Sequence, residues 1–145
     1  MNPETKPKGQ TSAATGKPAF QAPPGACDTH CHVFGPEERF PYEPGLDFYP
    51  APAPREAVFA LHAALGLSRG VIVQGAEYAY DNSVVLDAIA AAPDRYRGIA
   101  VMDPEASDAE IETLHRGGVR GVRISFVHGA SRDLGALRRM AQRIA

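Results

Sequence analysis

From residue 26 onward, short apolar runs alternate with stretches of helical periodicity. Four runs of strand length and composition fall at 26–33, 70–74, 97–102 and 121–126, and each is followed by a segment carrying helix signals. Val58, Leu61 and Leu65 form a stripe at i, i+3, i+7, with Pro54 suited to the opening position and Gly66 to the stop. Val84, Val85, Leu86 and Ile89 make a second stripe between Asp81-Asn82, which read as caps, and Pro93. Ser107 and Glu110 have the spacing of a capping box, and Gly117-Gly118 ends that third helix. A fourth helix is predicted from Ser131 or Asp133 through Leu134, Leu137 and Met140. Strand and helix in strict alternation predict an α/β fold of four β/α units with a parallel sheet.

The start of the chain has a different texture. Residues 1–24 combine Pro3, Pro7, Pro18, Pro23 and Pro24 with Lys6, Lys8, Lys17, Gly9 and Gly16, and offer little to bury except Phe20. They read as a disordered arm, leaving 25–145 as the folded unit. No stretch reaches the roughly 20 apolar residues of a membrane span, and the arm lacks the apolar centre of a secretory signal. The default location is the cytoplasm. A net charge of −2 gives no basic excess with which to meet nucleic acid or an anionic membrane. Arg138, Arg139 and Arg143 read as a solvated helix face. Cys27 and Cys31, four apart on one strand, would stand about 13 Å from each other, too far for a disulfide.

Candidate chemistry concentrates at the end of the first run, Asp28-Thr29-His30-Cys31-His32-Val33. Strict alternation places Asp28, His30 and His32 on one face and Cys27, Thr29 and Cys31 on the other. Two imidazoles on one face can share a metal or polarise a substrate oxygen. The competing reading is a pair of surface histidines on a solvated edge. On the fourth run, Arg123 and Ser125 share the side opposite Val122, Ile124 and Phe126. An arginine there suits a substrate carboxylate, or else an internal salt bridge with Asp28 or Asp103. His62 reads as the edge of an apolar stripe and His115 as a last-turn cation, neither as a ligand.

The run Gly25-Ala26-Cys27-Asp28-Thr29-His30-Cys31-His32-Val33-Phe34-Gly35-Pro36, then Arg39-Phe40-Pro41-Tyr42 and Arg120-Gly121-Val122-Arg123, resembles the amidohydrolase-related metal-dependent hydrolases, and within them the pyrone lactonase branch. The resemblance covers about 25–145 and implies the N-terminal half of a TIM (β/α)8 barrel. It implies catalytic roles for His30 and His32, and substrate contacts for Arg123, Tyr49, Ser125 and His128. His30 and His32 would also hold a divalent metal such as zinc if one is bound. The pyrone lactonase branch is thought to work without a metal, so both cofactor readings stay open.

The chain departs from that branch at Gly75-Ala76, where a substrate-contacting serine is expected, and at Val127-His128-Gly129, where an arginine is expected. His128 or Arg132 is left to substitute. The implied activity is hydrolysis of a carboxylated lactone or similar cyclic ester, a small-molecule substrate. The histidine after the fifth strand and the aspartate after the eighth, the usual general base, fall outside four units. The chain alone is therefore expected to be inactive, and to self-associate or pair with a complementing half-barrel. The alternative is a non-catalytic half-barrel or a truncated fragment.

Overall fold

The computed structural model describes residues 16, 18–124 and 133–144. Strands β1 (Cys27–Cys31), β2 (Arg69–Val73), β3 (Tyr96–Ala100) and β4 (Val119–Val122) form one parallel sheet in sequence order. Helices α1 (Arg55–Leu65), α2 (Ser83–Ala91) and α3 (Asp108–Arg116) join successive strands, and α4 (Leu134–Ile144) follows β4. A single 3₁₀ turn, Ala76–Tyr78, lies between β2 and α2. Residues 16 and 18–24 contain no helix or strand, and the rest of the expected arm lies outside the described residues.

Local chemistry accounts for the helix ends. Gly66 closes α1 with a φ of 74°, the left-handed conformation that glycine adopts without a Cβ penalty. The capping box on α3 is complete: the Ser107 hydroxyl accepts from the Glu110 N–H, and the Glu110 carboxylate accepts from the Ser107 N–H. Asn82 does not cap α2 with its side chain as expected. Its amide instead donates to the Val101 carbonyl and accepts from the Val101 N–H, tying the start of α2 to the end of β3. Arg55 on α1 and Arg39 in the preceding loop both reach the Asp87 carboxylate on α2, each at 2.6 Å.

Strand register separates the two faces of the sheet. Gly70, Ile72, Gly98, Ala100 and Val119 face the helices, where Ile72, Ala100 and Val119 join Val85, Ala88, Ile89 and Tyr96 in the buried core. Ile72 and Met102 both belong to this helix-side core. Alternation sends Val71 and Ile99 to the other, inner face, where each is only half-buried. The fourth strand begins earlier than the predicted 121–126, because Gly118 with a φ of 95° turns the chain straight from α3 into β4. Its ladder ends where the Arg123 N–H donates to the Ala100 carbonyl.

Candidate functional site

The site is built on an irregularity in β1. Asp28 pairs with Gly70 and Cys31 with Ile72, so β1 holds one more residue than β2 between these pairs. This is a β-bulge, which re-aims the side chains beyond it. Asp28 pins it locally, its Oδ1 accepting from the His30 N–H at 2.9 Å. Asp28 and Cys31 consequently both face the helices, while His30 and His32 face the inner side. The expected sharing of one face by Asp28, His30 and His32 is therefore corrected. An extra residue reverses parity between Asp28 and the two histidines, and places Cys31 beside Asp28.

The histidine rings lie 5.1 Å apart, edge to face. His32 Nδ1 is 2.7 Å from the Val73 carbonyl at the end of β2. A carbonyl only accepts, so the tautomer assigned carries its hydrogen on Nδ1, leaving Nε2 as a bare lone pair facing away from that bond. Arg123 arrives from β4, where a second irregularity sets Gly98 against Val119 but Ala100 against Val122. Val122 thereby keeps to the helix side, and Arg123 turns inward. Its Nη1 donates to the Gln74 carbonyl at 3.0 Å. His32 and Arg123 thus rest on successive carbonyls, Val73 and Gln74, at the C-terminal end of β2. The alternative salt bridge from Arg123 to Asp28 or Asp103 is absent among the described residues, because Asp28 faces the other way and Asp103 accepts from the Glu105 N–H.

Tyr49 stands further off. A series of ring contacts runs from His32 to Phe34 at 5.7 Å, Phe34 to Tyr78 at 6.3 Å, Tyr78 to Tyr42 at 5.0 Å and Tyr42 to Tyr49 at 5.9 Å. Tyr78 is buried, and burial pushes its hydroxyl above the ordinary tyrosine range although the Gly35 N–H donates to its oxygen. Ser125, His128 and Arg132 lie outside the described residues.

Sequence reasoning missed a group on the helix side. His62 is 1% exposed, with Nε2 3.1 Å from Asp28 Oδ2 and Nδ1 3.0 Å from the Tyr96 hydroxyl. This corrects its placement at a stripe edge. The available signal was Gly70, which opens room under α1. Gln74 is also fully buried: its amide donates to the Asp81 carbonyl, while its Oε1 has no partner among the described residues. Burial pushes the Cys31 thiol up to about 12, and the Asp28 carboxylate adds to the shift.

The imidazole pair fits a metal. Ligand histidines characteristically donate their other ring nitrogen to a carbonyl, as His32 does. His30 and His32 would hold such an ion, with further ligands drawn from outside these two side chains.

Comparison with known proteins adds lineage to this geometry. The amidohydrolase family profile matches residues 27–144. A 2-pyrone-4,6-dicarboxylate hydrolase from Comamonas testosteroni is 43% identical over 115 residues, covering 79% of this chain and 38% of that protein. A 4-sulfomuconolactone hydrolase from Hydrogenophaga intermedia is 37% identical, covering 74% of this chain and 35% of that protein. The chain thus spans less than half the length of these relatives. A crystal structure from Agrobacterium tumefaciens superposes with a TM-score of 0.71 at 29% identity, covering 85% of this chain and 45% of its own. A probable 2-pyrone-4,6-dicarboxylic acid hydrolase from Acinetobacter baumannii gives a TM-score of 0.73 at 24% identity, covering 83% and 45%, and its likeness is one of fold.

Proposed function

The chain belongs to the amidohydrolase family, and on that premise we propose that it supplies the β1 to β4 half of a lactone-hydrolase site. The substrate class is a lactone or similar cyclic ester bearing an acidic substituent, as the names of the Comamonas and Hydrogenophaga relatives indicate for those proteins. The observation that carries this reading is the seating of His32 and Arg123 on the successive carbonyls of Val73 and Gln74.

His30 and His32 polarise the lactone carbonyl, so that the charge developing on its oxygen as water attacks meets an oriented imidazole rather than bulk solvent. Bonding to Val73 fixes the His32 ring before substrate arrives, which removes a reorganisation cost from the reaction. A divalent ion on the same two imidazoles would supply further polarisation of that oxygen. Arg123 spends one guanidinium nitrogen on Gln74 and presents the remaining donors of its fork to the acidic substituent. Tyr49, Ser125 and His128 are assigned to the substrate-binding loops. The general base comes from outside the four β/α units.

Two measurements test this. On the chain alone, calorimetric binding of 2-pyrone-4,6-dicarboxylate should weaken about tenfold or more in Arg123→Met, the scale of one lost charge-assisted pair. On the chain fused to the remainder of the Comamonas relative, loss of the pyrone absorption should report hydrolysis that falls about a hundredfold or more in His30→Ala and His32→Ala. Undiminished hydrolysis with both histidines replaced would overturn the assignment.

A further inference from the structure

We propose that Asp28, Cys31 and His62 form a transition-metal site of the zinc class on the helix side of the sheet, separate from the His30 and His32 pair. The inference does not rest on the lactonase reading. One donor atom from each of these three residues, a carboxylate oxygen, a sulfur and an imidazole nitrogen, all lie within 4.8 Å of one another. Mixed oxygen, sulfur and nitrogen ligation is the chemistry of zinc and cobalt rather than of calcium or magnesium.

Three features of the fold converge on this cluster. The bulge in β1 puts Asp28 and Cys31 on one face, which regular alternation forbids for residues three apart. Gly70 then leaves room beside them: a Cβ there would stand 2.7 Å from Tyr96 and 3.1 Å from the His62 ring. Into that room α1 inserts His62, 34 positions along the chain from Asp28. A tetrahedral ion with ligand bonds of about 2.0–2.3 Å has donors about 3.3–3.7 Å apart. The Asp28 and His62 donors already stand at 3.1 Å, so the adjustment falls mainly on the Cys31 sulfur, which now leans on the Val71 carbonyl at 3.5 Å.

The surroundings suit a bound cation. When Nε2 of His62 gives up its hydrogen to become a ligand, the ring moves that hydrogen to Nδ1, and the Tyr96 hydroxyl turns from donor to acceptor at the same 3.0 Å contact. Tyr96 is wholly buried and stacks against His62, with ring centroids 5.7 Å apart, so the imidazole is held for ligation by a fixed partner. Asp28 keeps its other oxygen on the His30 N–H. Its side chain is 31% exposed, which gives the ion a route from solvent and leaves the fourth position to water. Binding would clip α1 to β1 and raise stability.

Titration of the 145-residue chain with cobalt(II) is the test. The expected result is a near-ultraviolet thiolate-to-cobalt absorption band that saturates at one equivalent per chain in the His30→Ala/His32→Ala background, with a raised melting temperature. Cys31→Ser and His62→Gln should each abolish the band, and Tyr96→Phe should weaken binding about tenfold or more. Cys27→Ser and the His30→Ala/His32→Ala double variant should keep it. A wild-type chain with no such band, a band that survives Cys31→Ser, or one lost with His30 and His32 would each overturn the proposal. Cys31→Ser decides the matter if circular dichroism shows His62→Gln to be unfolded, since serine fits the cysteine volume.

Discussion

At Gly70 one missing side chain shapes the helix side of the sheet. The 2.7 Å and 3.1 Å approaches of Tyr96 and His62 to its virtual Cβ are closer than packed carbon atoms tolerate, and both rings are fully buried. Gly70→Ala should therefore cost about 1–3 kcal/mol, the usual penalty for overpacking a filled core, read as a lower urea midpoint with an unchanged slope. An alanine accepted without loss would show that the rings move freely, contrary to the hydrogen bonds that tie His62 to Asp28 and to the Tyr96 hydroxyl. At this same scale the site was partly legible in the sequence. The alternation of His30 and His32 requires no tertiary knowledge, and they do share a face. Asp28 was misplaced because the bulge that reverses parity is set by pairing with β2, and the aspartate bond to its own backbone two residues on, which Asp81 and Asp103 also make outside strands, does not mark one in the sequence. His62 was misread for a related reason: a helical stripe shows which side is buried, not what waits beneath it.

Elements were more legible than residues because their signals are local. The α3 capping box follows from Ser107 and Glu110 alone, and α1 ends at the predicted glycine. β4 was shifted because Gly121 reads as a boundary, whereas the turn is made at Gly118, and Ile124 follows the last ladder bond among the described residues. The cap also sets a pH response. Hydrogen bonds from the Ser107 hydroxyl and backbone hold the Glu110 carboxyl below its ordinary range, so folding favours its ionised form. Its contribution is present above the unfolded-state pKa and is lost as pH falls through the lower folded value. Ser107→Ala should destabilise the chain by about 1 kcal/mol near neutral pH. The gap between wild type and Ser107→Ala should narrow as the medium is acidified below the carboxylate range, leaving the part due to the hydroxyl's bond with the Glu110 N–H, with thermal melts at several pH values as the measurement. A gap that stays constant down to that range would assign the effect to the hydroxyl alone.

At the scale of the whole molecule, the two faces of the sheet are unequally covered. The helix side holds the contiguous core, whereas on the inner side Val71 and Ile99 are half-buried and Arg97 exposed, with none of the three in that core. Parallel sheets are ordinarily buried on both faces, and the matched crystal structures extend to more than twice the region they share with this chain. Among the described residues β1 and β4 each also keep an unpaired edge, a template for further strands. The 145-residue chain is therefore expected to self-associate through its inner face, shown by sedimentation velocity and by binding of a hydrophobic dye. Ile99→Lys decides between an open face and a covered one. A lysine on an open face would reduce association and dye binding while leaving the melting temperature nearly unchanged, because its ammonium reaches water past the exposed Arg97. If segments outside the described residues cover that face, the same substitution buries an unpaired charge and lowers the melting temperature sharply, and a monomeric wild type with that response would overturn the open-face reading.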